Sequence, residues 1–247
     1  MTNARTFGQQ ARTYAKGRPG YPAGLYAWIA ANSPGRGLVW DVGTGSGQAA
    51  RALTSYFDRV HATDVSAEQI AEAKPHPQIT YDAAPAHQSG LNSGAADAVC
   101  VATAVHWFAD DVFWAEVSRA ARDRALFCAW TYQLPRSTAE VHAAFLDPVY
   151  KLIDPYWTDG NRICMEGYSA ENLNCPFPVL ETPAFDAGGI WTAQQLADFA
   201  QSWSAYFRAK EDGKAAQLEN LAENFLAKFA DKDVSFEMPI SVLAARL

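Results

Sequence analysis

Short apolar runs alternate with amphipathic stretches through the first half of the chain. LVWDV (38–42), RVHATD (59–64), QITYDAA (78–84), ADAVCVATAV (96–105) and RALFCAWTY (124–132) each read as a strand. The unbroken apolar runs among them fit strands buried on both faces. Between the first two, Ala49, Leu53 and Phe57 step by four along one helical face of GQAARALTSYF (47–57). Ser66 followed three residues later by Gln69 is a capped helix start, and VFWAEVSRAAR (112–122) supplies a further helix. Repeated β-α-β units with short links predict an α/β domain around a parallel sheet with right-handed crossovers. Ligands of such sheets bind beyond the carboxyl ends of the strands, near the switch in strand order.

The rhythm breaks over 133–176, which holds Pro135, Pro148, Pro155 and Pro176 and reads as an insertion over the ligand edge. It resumes with a strand near 178–186, helices over 192–208 and 213–230, and one last alternating strand over 233–247. The chain therefore divides into 1–36, a core over 37–132, the insertion 133–176 and a completion of the sheet over 177–247.

The first strand runs into a turn with almost no side chains, Gly43-Thr44-Gly45-Ser46-Gly47. A Walker phosphate loop ends in Gly-Lys-Ser/Thr, and Ser46-Gly47-Gln48 has no lysine. The dinucleotide fingerprint wants a small residue where Gln48 stands, which disfavours a nicotinamide dehydrogenase. What remains is GxGxG with an acid, Asp41, two residues before it, the first motif of class I S-adenosylmethionine-dependent methyltransferases. The chemistry agrees. Backbone N–H groups at the turn and helix start can hold the cofactor's carboxylate, Asp41 can orient the loop and favour the ammonium, and Gly45 lets the chain pass close to the ligand. Asp64 ends the second strand about 20 residues past the first glycine, the offset at which an acid accepts from ribose hydroxyls.

The net charge of −7 comes with no block of Lys or Arg, which counts against nucleic-acid substrates. The region after the fourth strand reads ATAVHW, without the [DN]PP[FYW] of amino-methylating nucleic-acid enzymes or the Pro-Cys of cytosine C5 enzymes. The four cysteines have no CxxC spacing, so no metal site is expected, and Cys100 and Cys128 read as buried inert thiols. The opening MTNARTFGQQARTYAKGR has no apolar signal region, and no stretch reaches membrane-span length, so a cytoplasmic protein is expected.

FGQQARTYAKGRPGYP, DVGTGSG, HATDVSAEQIAEA, ATAVHWF and IWTAQQLADFAQSWSAY together make nearly the whole chain resemble a class I S-adenosylmethionine-dependent methyltransferase with a methyltransferase type 11 domain. More narrowly, it resembles the small-molecule enzymes of the trans-aconitate methyltransferase-like subgroup. The resemblance implies a single Rossmann-like domain: a mostly parallel seven-stranded sheet, helices on both faces, the last strand antiparallel, and N-terminal lid helices over 1–36. It implies S-adenosylmethionine as cofactor, with S-adenosylhomocysteine as product, held by Asp41, Gly43, Thr44, Gly45, Asp64, Val65, Ala84, Ala86 and Thr103, and by Tyr14 and Arg18 of the lid. Adenine contact is expected through the backbone of Ala86, because Pro85 and His87 depart from the family's usual residues.

The implied reaction is in-line transfer of a methyl group to a small-molecule acceptor, with a carboxylate or hydroxyl oxygen favoured. His106 leaves the fourth strand at the ligand edge and is the candidate general base, since a neutral imidazole takes a proton near pH 7. Trp107, Tyr156, Trp157, Arg162 and Trp203 are candidate acceptor contacts, with Asn161, Tyr168 and Tyr206 offered beside them, the rings desolvating the acceptor and Arg162 suiting an anion. Two alternatives stay open: a cofactor-binding regulatory protein without turnover, and an N- or C-methyltransferase of a natural-product intermediate. The protein is expected to act as a monomer or homodimer, with neither nucleic acid nor membrane as partner.

Overall fold

The computed structural model describes residues 20–230 and 232–247, so Tyr14 and Arg18 lie outside the described residues. Five strands form the parallel core of one sheet: β1 (Val39–Val42), β2 (Val60–Asp64), β3 (Ile79–Ala83), β4 (Ala96–Ala102) and β5 (Ala121–Tyr132). Further along come β6 (Arg136–Ser137), β7 (Val179–Leu180), β8 (Phe185–Asp186), β9 (Gly189–Thr192), β10 (Asp233–Glu237) and β11 (Pro239–Arg246). The sheet runs β3-β2-β1-β4-β5-β11-β7, with the two-residue β8 also paired to β11. β11 lies antiparallel to β5 from Ile240–Tyr132 to Arg246–Leu126. The expected seven strands with an antiparallel last strand thus form the main path, and β8 adds an eighth. Strand order switches between β1 and β4, whose neighbours lie on opposite sides.

The central strands are buried because they are sandwiched. Val39, Cys100, Cys128 and Trp130 point into one core with Ile29, Leu53 and Phe225 from helices Ala23–Asn32, Gln48–Leu53 and Ala215–Phe229. Trp40, Val42, Val99, Val101 and Phe127 point into the other with Phe113 and Trp114 of helix Asp111–Ala120. Successive residues take opposite faces, as the two-residue period of a strand requires. Burial pushes the Cys100 and Cys128 thiols well up, so both are inert. The expected cap is present: Ser66 Oγ accepts from the Gln69 N–H at 3.2 Å.

Two expectations need correction. The fourth strand stops at Ala102, because Thr103 has φ +51°, and Val105–Trp107 then forms a 3₁₀ turn. The final strand is two: fully buried Met238 separates β10 from β11, and β10 joins a separate antiparallel sheet, β6-β10-β9. The segment 133–176 is mostly helical. Ala139–Val141, His142–Leu146 and Asp147–Ile153 form one continuous run, burying Val141, Phe145, Val149 and Ile153. Asp159–Glu166 follows, started by a reciprocal capping box between Thr158 and Asn161.

Candidate active site

The glycine turn joins β1 to helix Gln48–Leu53 with Gly43, Gly45 and Gly47 all at positive φ (+67°, +56°, +79°). Each glycine is constrained differently. A Cβ on Gly43 would sit 2.7 Å from the Ala104 Cβ, just past the end of β4, and one on Gly47 would meet the Tyr81 ring at 2.8 Å. On Gly45 the nearest atom among the described residues, its chain neighbours apart, would be Gln69 Oε1 at 3.8 Å, and the space beside it belongs to a cavity. The cavity has a volume of about 460 Å³ and opens at the carboxyl ends of β1, β2 and β4, within the size range of small-molecule sites.

Asp64 holds this turn. Its Oδ2 accepts from the Gly45 N–H at 2.8 Å and its Oδ1 from the Ser66 N–H at 2.9 Å. Burial raises its carboxyl pKa while these two N–H groups pull it back down. Each oxygen keeps a lone pair for a ligand hydroxyl. Val65, next to it, is 66% exposed and lines the same cavity. On the far side, the Ala84 N–H is taken by the Asp64 carbonyl at 2.9 Å, whereas among the described residues the Ala86 N–H has no protein acceptor.

Asp41 does not line the cavity. It is fully buried behind the turn, where Oδ2 accepts from the Thr44 hydroxyl at 2.5 Å. Its carboxyl is pushed up to about 7, first by burial and then by the charge of Asp64, against the Thr44 hydroxyl and the Ala50 N–H, which favour the ionised form. Between about pH 4 and 7 the folded chain therefore keeps a proton that the unfolded chain has released. Stability contributed at Asp41 is full below that window and falls as pH rises through it, by at most about 1.4 kcal/mol per pH unit. Asp41→Asn cannot titrate and is expected to flatten this slope in urea denaturation of the unliganded protein at pH 5 and pH 7. A slope equal to that of the parent would contradict the assignment.

A second, smaller cavity of about 80 Å³ adjoins the first, and Thr103 and Trp107 line both. Thr103 is held in its left-handed conformation by its N–H to the Trp130 carbonyl (2.7 Å) and its hydroxyl to the Tyr21 hydroxyl (2.9 Å). Tyr21 is stacked on Tyr132, 4.5 Å between centroids. His106, in the 3₁₀ turn, lines the small cavity. Its Nδ1 shares a hydrogen bond with the Tyr168 hydroxyl at 2.7 Å and lies 3.1 Å from Cys164 Sγ. Burial keeps the Tyr168 phenol well above its ordinary pKa, so it acts as a neutral partner. Helix Asp159–Glu166 closes over this turn at Gly160, where any Cβ would be 2.9 Å from the Trp107 ring. Trp157, Phe199 and Trp203 complete an apolar wall, and among the described residues no charged side chain lines this cavity.

The larger cavity thus gathers Gly43, Thr44, Gly45, Asp64, Val65, Ala84, Ala86 and Thr103 from the expected cofactor set. The smaller gathers His106, Trp107, Trp157 and Trp203. Arg162 and Tyr156, both expected acceptor contacts, line neither. Arg162 faces out and pairs with Asp154 at 3.4 Å, and the Tyr156 hydroxyl donates to Asp212 at 2.5 Å. Sequence reading missed Tyr21 as a wall residue, although it sits in the GYP of the opening motif, and missed Thr131 and Cys164.

A profile of the methyltransferase domain matches residues 40–129. A solved structure from Anaeromyxobacter dehalogenans, described as that of a type II methyltransferase, is 36% identical. The match covers 93% of this chain and 97% of that one, with a TM-score of 0.84. A Dictyostelium discoideum protein classed as a methyltransferase is 28% identical over 92% of this chain and 87% of its own length. A Saccharomyces cerevisiae protein classed as an S-adenosylmethionine-dependent methyltransferase is 25% identical over 78% of each.

Proposed function

This chain belongs to the class I S-adenosylmethionine-dependent methyltransferases, and on that premise we propose that it methylates a small-molecule acceptor on a carboxylate or hydroxyl oxygen. The observation that carries this is the common wall: Thr103 and Trp107 line both the cofactor-sized cavity and the small one beside His106. S-adenosylmethionine supplies a methyl group already activated by the adjoining sulfonium, open to in-line attack by an acceptor lone pair.

The chain's own residues bind and align. Asp64 accepts from the ribose hydroxyls, the Ala86 N–H meets the adenine edge with Val65 against its face, and N–H groups of the glycine turn hold the carboxylate. Asp41 acts at one remove, fixing the turn through Thr44 rather than touching the ligand. Residues 133–176 are the acceptor-side segment, contributing Trp157 and Asn161 to the small cavity. Its rings exclude water and align the acceptor, an effect worth several kcal/mol in well-oriented sites.

His106, oriented by Tyr168, takes the proton of a hydroxyl acceptor. His106→Ala is expected to lower kcat about 100-fold at pH 7 with cofactor affinity unchanged. Retention of most turnover would remove the base role. The reading as a whole is tested by following S-adenosylhomocysteine release with panels of small carboxylic acids, phenols and amines. Turnover confined to amines would contradict it.

A further inference from the structure

Asn161 sits on the wall of the small cavity with one end of its amide fully committed. Its Oδ1 accepts from the Thr158 hydroxyl at 2.9 Å, the Arg208 guanidinium at 3.0 Å and the Ser204 hydroxyl at 3.1 Å. Turning the amide over would set its NH₂ against the guanidinium, a donor that cannot accept. The orientation is therefore fixed, and the two Nδ2 hydrogens have no partner among the described residues. Arg208 is itself anchored, its Nε donating to the Tyr156 carbonyl at 2.9 Å. It sets a positive charge behind the amide without entering the cavity lining, which polarises the N–H groups further.

We infer that Asn161 is a specificity-determining residue of the acceptor cavity, its amide hydrogens receiving a carboxylate or carbonyl oxygen of the methyl acceptor. The inference rests on the methyltransferase reading of the two cavities and narrows it: the acceptor carries an oxygen that only accepts hydrogen bonds. A donor-only cation at the same place meets two N–H groups and a guanidinium behind them, and is rejected.

Benzoate and benzylammonium are suitable probes, with the same ring and opposite hydrogen-bonding ends. Their binding is measured by ligand-observed NMR titration, with and without saturating S-adenosylhomocysteine. The parent protein is expected to bind benzoate at least tenfold more tightly than benzylammonium. Asn161→Asp, which keeps an acceptor for Arg208 and presents a carboxylate oxygen where the NH₂ was, is expected to reverse that preference. Asn161→Ala is expected to lose benzoate at least fivefold without gaining benzylammonium. Calorimetric affinity for S-adenosylhomocysteine, expected to stay within twofold in both variants, reports that they are folded. The inference is overturned if the parent binds no benzoate, if it prefers benzylammonium, or if both variants keep parental benzoate affinity. Failure of the parent protein to bind S-adenosylhomocysteine would sink the methyltransferase reading instead, and the two failures are read from separate titrations.

Discussion

Gly43→Ala is expected to lower the melting temperature by about 5–15 °C and to abolish cofactor binding with it. Two costs add. A left-handed φ of +67° costs a residue with a Cβ about 1–2 kcal/mol. The new methyl would lie 2.7 Å from the Ala104 Cβ, an atom fixed to the backbone that cannot swing away, and overpacking of this kind costs about 1–3 kcal/mol. A chain of this size loses about 2–4 °C per kcal/mol. Gly45→Ala is the informative contrast. Its φ of +56° carries the same conformational cost, but among the described residues beyond its chain neighbours no atom lies closer than 3.8 Å to the added carbon. It should melt within a few degrees of the parent yet lose S-adenosylmethionine affinity at least 100-fold, because the methyl occupies ligand space. Thermal shift and calorimetry on the two variants separate packing from binding. Equal melting losses would show that the turn is constrained by the protein alone.

Asp64→Ala is expected to weaken S-adenosylmethionine binding by roughly two to three orders of magnitude. Two ribose hydrogen bonds to a charged acceptor, at about 1.5–3 kcal/mol each, reach that range even with partial compensation by water. The substitution also strips the Gly45 and Ser66 N–H groups of their acceptor, loosening the glycine turn. Asp64→Asn keeps one acceptor oxygen and should fall between the two. Because burial raises the Asp64 carboxyl pKa, affinity should decline on acidification at a pH above the ordinary aspartate range, as the carboxylate takes up its proton. An Asp64→Ala protein with parental affinity would remove this residue from the site.

The parts legible in the sequence were those whose signals are local. The βα rhythm, the glycine spacing after β1 and the acid at the end of β2 each lie within one short window, and the structure brings them to one cavity. The end of β4 was not legible, because a threonine at φ +51° is held there by partners 27 and 82 residues away, Trp130 and Tyr21. The acceptor wall was half legible. Aromatic richness pointed to Trp157 and Trp203, but composition does not tell which face of a helix turns inward. On helix Asp159–Glu166 the cavity is met by Asn161, Cys164 and Met165, spaced i, i+3 and i+4, while Arg162 stands about 100° away and pairs with Asp154. A face-by-face reading of that helix would have kept Asn161 and set Arg162 aside. The commitment of Asn161 Oδ1 to Ser204 and Arg208 spans more than 40 residues and left no trace in the spacing. The split of the final strand was hidden for a similar reason, since its alternation continues across Met238 while its partners change sheet.

The central claim, that Gly43 to Gly47 and Asp64 cradle an adenosyl sulfonium, is tested most directly by isothermal titration. The purified chain is titrated with S-adenosylmethionine and S-adenosylhomocysteine, with NAD as control. Micromolar binding of both adenosyl ligands and none of NAD is the result expected. Binding of NAD, or of neither adenosyl ligand, would contradict the account.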